Sequence, residues 1–392
     1  MTGRLLLLRD HVPAGFDPAA DLHRQGYAVE TTGHLPRARK ALDHGPDVVL
    51  LDVDLTGCAG WEDYLDLCRQ RGVPCLVFSG NGRFPEALAG FAARADGVVL
   101  RTADAGEMRR RVADALRLRR LQLQLNRTRR KLRQRQREQE EELGSAAQIQ
   151  QSLLPSRAPS LDTARFAWRF LPFEKVGGDL FNVQQLDEET VMVYLCDVSG
   201  HGVSSAMVTV SLYQSLSLQT GRIVKRVFVG PPYYKILSPA EVLTELEREF
   251  PFERFEKFFT IVYLLLDVGS GRVRYCSAGH PPPALIRRRG GLEPLPTNGG
   301  LIGLGVGGPF QDQEVQLKPG DRLYLYSDGI TEFSGAAGTF FGRDRLFGAL
   351  QALGHVSLPT GCDRVLAELE EFGAGRSLQD DVTLLGIEYR GD

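Results

Sequence analysis

The chain has 392 residues, 43% of them hydrophobic and 24% charged, with a formal net charge of -2. That length allows two or three cores rather than one, and the near-neutral balance excludes a global attraction to polyanions, so any charge argument must be local. No stretch approaches the roughly 18 to 20 unbroken apolar residues that span a bilayer, "MTGRLLLLRD" has too short an apolar run for a secretory signal, and the six cysteines include no CxxC pair. A reducing cytoplasm is the expected compartment, with no membrane partner.

Residues 1–105 alternate short apolar runs with helix-forming stretches. "RLLLL" (4–8), "DVVLLDV" (47–53), "PCLVFS" (74–79) and "DGVVLR" (96–101) read as buried strands. The alternation predicts βα units and a doubly wound parallel sheet. Ligands of such sheets gather at the carboxyl ends of the strands, which here carry Asp10, Asp52 and Ser79.

Residues 106–155 have two glycines, Gly106 and Gly144, and no proline before Pro155, and apolar residues recur mostly at threes and fours. The pattern predicts one long helix of coiled-coil character that would pair two chains, with a seam weakened between Leu132 and Leu143. Arginines crowd the segment from Arg109 to Arg137, but no aromatic residue interleaves to stack on bases, and Glu138 to Glu142 reverses the charge. A solvated coiled-coil face is expected there, not nucleic-acid binding.

From residue 156 to 392 the pattern changes again. Strand-like runs at 164–171, 190–197, 259–267, 272–277, 283–288 and 321–327 flank helical windows near 204–219, 239–250, 343–353 and 362–373. Grouped strands with hairpin-like spacing predict an α+β sandwich of antiparallel sheets. "SPAE" (238–241) predicts a capped helix start. Residues 221–238, with two Pro and two Tyr, read as an insertion forming a flap or substrate-contacting surface, or a packed loop.

Within this last region several aspartates lie where an apolar run meets a turn. "TVMVYLCDVSGHG" delivers Asp197 from a strand into glycines, "EKVGGDLF" places Asp179 after a double glycine, "YLYSDGITEF" carries Asp328, and "SLQDDVTLL" carries Asp380 and Asp381. Each alone reads as a turn aspartate bonded to its own backbone. Gathered at one end of a sandwich they would raise one another's pKa, a conflict that divalent cations remove. Oxygen-only ligation selects hard ions, Mg²⁺ or Mn²⁺, over zinc.

The segments "IQQSLLPS", "VGGD", "CDVSGHG", "SAGHPP", "YSDGITE" and "DDVTLL" follow one another as in the PPM superfamily of metal-dependent protein phosphatases. Residues 145–390 most resemble the bacterial branch typified by stage II sporulation protein E and the sigma-B-pathway phosphatases. The resemblance implies an α-β-β-α sandwich with two Mn²⁺ or Mg²⁺ ions and hydrolysis of phosphoserine or phosphothreonine by a hydroxide on the dimetal centre. Carried over position by position, it implies that Asp179 bridges both metals, that Asp197 and the backbone carbonyl of Val198 hold the first, and that Asp328 and Asp380 complete the second. Asp380 is preferred to Asp381 because the family's ligand is the first residue of this motif. His201 is expected either to support the ligands from behind or to act as general acid for the serine leaving oxygen. Asp381 is expected to support the ligands from behind, and His280 to buttress a turn beside Pro281, where relatives carry asparagine.

The front region resembles the receiver domain of response regulators. "DVVLLDVDLTGCAG" puts Asp52 at the phosphoacceptor position, with Asp10, Ser79 and Arg101 at supporting positions. The family's acidic pair stands here as Arg9-Asp10, its lysine as Arg101 and its loop proline as Thr56. A cation beside the Mg²⁺ site weakens metal binding, so two readings stand: a receiver phosphorylated on Asp52 by a sensor histidine kinase, and a pseudo-receiver used for docking or dimerisation.

The combined expectation is a three-part cytoplasmic homodimer: receiver-like domain (1–105), coiled-coil linker (106–155) and phosphatase domain (156–392). By resemblance the substrate is a phosphorylated anti-sigma-factor antagonist. The rival from another class is a non-enzymatic adaptor, with both folds serving as binding scaffolds.

Overall fold

The computed structural model describes residues 3–10, 17–54, 60–78, 94–99, 105–200, 202–218, 223–335 and 338–391. Ser79, Arg101 and His201 lie outside these residues. The chain divides into two compact units, Met1–Arg137 and Glu138–Asp392.

In the first unit β1 (Arg4–Leu8), α1 (Pro18–Arg24), β2 (Ala28–Thr32), α2 (Leu35–Asp43), β3 (Val48–Asp52), α3 (Trp61–Gln70), β4 (Cys75–Phe78) and β5 (Gly97–Val99) precede the long helix α4 (Ala105–Leu153). The strands form one parallel sheet in the order β2-β1-β3-β4-β5. Leu6, Leu8, Val49 and Leu51 face α2 and α3, whereas Leu5, Leu7, Val48 and Leu50 face α1 and the start of α4. Burial on both faces is why β1 and β3 read as unbroken apolar runs. β2, "AVETT", escapes that pattern because it is an exposed edge strand. On α4, Met108, Val112, Ala115 and Leu116 cover the unit's own sheet. Leu118, Leu121, Leu125 and Leu132 each remain more than half exposed.

The second unit is a sandwich of two five-stranded antiparallel sheets. In chain order its elements are β6 (Ala164–Leu171), β7 (Asp179–Gln185), β8 (Thr190–Val198), α5 (Val203–Leu216), β9 (Lys225–Val227), β10 (Tyr234–Ile236), α6 (Pro239–Glu249), α7 (Phe252–Phe255), β11 (Phe259–Asp267), β12 (Arg272–Ala278), β13 (Ala284–Arg287), β14 (Gly291–Pro294), β15 (Gln313–Gln316), β16 (Arg322–Tyr326), α8 (Asp328–Thr331), α9 (Arg343–Ala352), α10 (Leu358–Gly373) and β17 (Val382–Tyr389). One sheet runs β15-β12-β11-β8-β7, the other β14-β13-β16-β17-β6. Val193, Leu195, Val262, Leu264, Leu325 and Leu385 meet between the sheets. The opposite faces pack under α5 and α6 on one side and under α9 and α10 on the other. This is a four-layer α-β-β-α arrangement. The predicted cap on α6 is present: Ser238 Oγ accepts from Glu241 N at 3.3 Å, and Glu241 Oε2 accepts from Ser238 N at 2.8 Å. No helix among the described residues is long and apolar enough to cross a membrane.

Candidate metal centre

The two-residue period of a strand decides what the sandwich interior holds at its end. Along each inner face the apolar residues give way to polar ones at the same pole. Leu195 is followed by Asp197 on β8, and Phe181 is preceded by Asp179 on β7. Val262 is preceded by Thr260 on β11, Leu325 is followed by Ser327 after β16, and Leu385 is preceded by Thr383 and Asp381 at β17. Strand register brings these ends together, with Asp179 opposite Asp197 and Asp197 opposite Thr260.

The centre of the group is Asp179, only 2% exposed, whose Oδ2 accepts from Thr383 Oγ1 at 2.5 Å. Asp381 is also buried. Its Oδ2 accepts from the backbone N–H of Gly178 (2.7 Å) and Asp179 (3.2 Å), and its Oδ1 from Phe173 N–H (2.8 Å). With both oxygens engaged, Asp381 fixes the backbone that carries Asp179. Asp380 is exposed and stands with Asp328 and Glu332 at the rim.

The double glycine before Asp179 is dictated by close approach. A Cβ on Gly177 would overlap the Asp381 carboxylate, and one on Gly178 would lie 2.5 Å from the Val198 carbonyl oxygen and 3.1 Å from Asp197 Oδ1. Only glycine lets a carboxylate and a carbonyl press onto the backbone there.

Electrostatically the pole is in conflict. Burial, then Asp197 and Asp381, hold the Asp179 carboxyl well above the usual range, against the pull of hydrogen bonds from Thr383 and Ser327. Burial and the charges of Asp328, Asp380, Asp381 and Glu332 push Asp197 up to about 8. Burial, Asp380 and Glu332 push Asp328 up to about 6. His280 is buried beneath, its Nδ1 2.7 Å from Thr260 Oγ1, and burial depresses its pKa to about 3, so it stays a neutral support.

This donor set is all oxygen, anionic and mutually repelling, which suits a hard divalent cation. Among the described residues no three His, Cys, Asp or Glu side chains close into a ready cage.

Two contributors escape sequence reasoning. Gln150, near the end of α4 and 8% exposed, donates from Nε2 to Gly177 O (2.8 Å) and Thr209 Oγ1 (2.9 Å), while its Oε1 accepts from Gly177 N–H (3.0 Å). The helix end is thereby bonded to the glycine pair that carries Asp179, beside an apolar contact of Ala147 with Val176 and Ala206. Glu332 adds its charge at the rim. The only sequence signals were the recurrent "IQQSLLP" and "SDGITE" segments, neither of which says which atom matters.

The described residues of the insertion form a hairpin, β9 against β10. It leans on the β7–β8 turn, where Tyr234 OH meets Asp187 Oδ2 at 3.3 Å and Lys225 Nζ donates to Leu186 O at 3.4 Å, at the far ends of the strands that carry Asp179 and Asp197. The described part of the insertion thus packs at the end of these strands opposite the carboxylates.

In the first unit, Asp52 ends β3, is 5% exposed and accepts from Asp54 N–H at 3.1 Å. Register places Arg9 beside it at the end of β1. Arg9 is buried and its Nη2 pairs with Asp17 at 2.7 Å. The Asp10 carboxylate leans over Gly33, after β2.

Residues 187–390, just over half of the chain, match the family model of stage II sporulation protein E (SpoIIE). The chain belongs to the SpoIIE family. It is 27% identical over 272 residues to protein IcfG of Synechocystis, covering 64% of this chain and 41% of that protein. It is 30% identical over 196 residues to phosphoserine phosphatase RsbP of Bacillus subtilis, covering 49% and 45%. The chain thus spans about half the length of the curated relatives it matches. The SiaA-PP2C domain of Pseudomonas aeruginosa, 22% identical, shares the fold with a TM-score of 0.53 over 66% of this chain and 98% of that domain.

Proposed function

We propose that this SpoIIE-family chain is a PPM-type protein-serine/threonine phosphatase acting on a phosphorylated protein, with an anti-sigma-factor antagonist as substrate. The observation that carries the reading is the pole of uncompensated carboxylates, with Asp197 raised to about 8 and Asp328 to about 6 by burial and by one another. Asp179, Asp197, Asp328, Asp380 and the Val198 carbonyl would hold two divalent cations, Mn²⁺ or Mg²⁺. Such ions supply an activated water and neutralise charge on a phosphoryl group. Asp381 and Gln150 hold the Gly177–Asp179 backbone, and Thr383 and Ser327 orient Asp179. No side chain needs to act as a covalent nucleophile. The name phosphoserine phosphatase borne by RsbP supports the same reaction class.

The first unit and α4 serve as the regulatory part. The exposed leucines of α4 pair two copies, and a parallel in-register pair suits the flanking charges. With Leu118, Leu125 and Leu132 at a and Leu121 at d, Arg117 faces Gln122, Gln124 faces Arg129 and Lys131 faces Gln136, so no like-charged e/g contact arises. A shift of that helix reaches the carboxylates through Gln150. The buried, unpaired thiols of Cys68, Cys75, Cys196, Cys276 and Cys362 agree with a cytoplasmic setting.

The test is hydrolysis of p-nitrophenyl phosphate and of a serine-phosphorylated antagonist protein, with and without Mn²⁺, by wild type, Asp197→Asn and Asp328→Asn. Metal-dependent turnover lost in both variants is the expected result. Metal-independent turnover, or turnover that survives both changes, contradicts the proposal.

A further inference from the structure

The loop that follows Asp197 is held by a residue outside the carboxylate pole. The carbonyl oxygen of Ser199 accepts from Lys257 Nζ at 2.9 Å and from Ser205 Oγ at 3.1 Å. Its backbone is tied again, Ser199 N–H donating to Phe258 O at 2.9 Å and Ser199 Oγ accepting from Phe258 N–H at 3.2 Å. Ser205 is fully buried and Lys257 half-buried at the entrance to β11.

The peptide just before Ser199 carries the Val198 carbonyl, which faces Gly178 beside Asp197 Oδ1. The Val198 oxygen turns with the peptide plane it shares with Ser199 N–H, and Phe258 O holds that N–H. Lys257 and Ser205 hold the next plane through the Ser199 carbonyl. With both planes tied, Ser199 has little freedom to turn and the Val198 oxygen keeps its direction. That oxygen is a backbone donor at the pole. We propose that Lys257 is a positioning residue that, through Ser199, aims the Val198 carbonyl at the place where a divalent cation binds.

The inference rests on reading the pole as a metal centre, and it makes a prediction opposite in sign to simple electrostatics. A lysine charge near a cation site repels the ion, so removing it should tighten metal binding if charge were its only effect. If Lys257 acts by aiming the carbonyl, removing it weakens binding, as loss of a residue that orients a ligand does, by roughly 10-fold to 100-fold.

The experiment is Mn²⁺ titration calorimetry on the full chain for wild type, Lys257→Met, Lys257→Arg and Ser205→Ala, with the thermal midpoint of each metal-free protein. Expected results are a Mn²⁺ Kd raised about 10-fold or more in Lys257→Met, a smaller rise in Ser205→Ala, recovery towards wild type in Lys257→Arg, and metal-free midpoints close to wild type. Affinity unchanged or increased in Lys257→Met overturns the inference while leaving the metal centre intact. A weakened affinity that merely follows a large drop in the metal-free midpoint also overturns it, as a folding defect. Absence of Mn²⁺ binding by wild type removes the metal-centre reading itself.

Discussion

Two of the aspartates that follow an apolar strand into a turn, Asp52 and Asp197, have neighbours that differ in sign. Asp52, at the end of β3, accepts a hydrogen bond from Asp54 N–H and has Arg9 at the adjacent strand end. Asp197, near the end of β8, faces Asp179 in register and is raised to about 8 by burial and by four further acidic side chains. At the first strand end a built-in cation stands where the receiver pattern has a carboxylate. At the second, the neighbours are acidic, and the proposed divalent cations would relieve the repulsion. The local sequence pattern is the same; what the neighbouring strands end on gives it its meaning.

Asp197→Asn should have the largest effect, lowering Mn²⁺ affinity and metal-dependent hydrolysis by at least ~100-fold. An Asp197→Asn protein that kept both would erase the contrast between the two strand ends. Leu121→Pro, placed in the exposed middle of α4, should break the helix at a local penalty of ~3 kcal/mol. Sedimentation should then show a dimer becoming a monomer, with the response of the phosphatase to its partners lost.

Gln150→Ala leaves both polar groups of Gly177 without their partner. It should weaken Mn²⁺ binding by ~10-fold in calorimetry with only a modest fall in the metal-free midpoint. Unchanged affinity would show that the end of α4 does not reach the centre.

A pH series on the metal-free protein sharpens the comparison further. A carboxyl whose pKa is raised by folding stabilises the folded state while protonated. That stabilisation is complete below the unfolded value of 3.8 and is lost as pH rises through the folded value. Between pH 5 and 8, spanning Asp328 at about 6 and Asp197 at about 8, the metal-free midpoint should fall on the order of 5 °C more in wild type than in Asp197→Asn. Saturating Mn²⁺ should flatten the wild-type curve. Asp52→Asn should have the smallest effect on the centre, changing Mn²⁺ affinity of the full chain by less than about twofold, as expected for sites in separate compact units with no shared partners.

Much of the fold was legible because buried strands announce themselves as apolar runs. The strands 164–171 and 259–267 match β6 and β11 at both ends. The elements that escaped have weak or divided patterns. β2 is an exposed edge, β7 reads "DLFNVQQ" with a polar end, and β9, β10, β14 and β15 are three or four residues long. At the candidate site the carboxylates were visible because each sits at a strand–turn junction. The roles of Gln150 and Lys257 were not, since a glutamine on a polar helix and a lysine before a strand look like solvent-facing residues until tertiary packing brings Gly177 and Ser199 to them. The distinct parts of Asp380 and Asp381, adjacent and chemically alike, come from strand parity. Asp381 shares the inner face of Thr383 and Leu385 and gives its oxygens to backbone N–H groups, while Asp380 stands exposed at the rim.

The most direct test of the central claim is calorimetric titration of Mn²⁺ into the full chain at pH 7.5, wild type beside Asp197→Asn, since it needs neither a substrate nor an activating partner. Saturable binding by wild type that is lost in Asp197→Asn is the predicted result. No binding by wild type, or equal binding by both, would contradict the claim that these carboxylates converge to hold divalent cations.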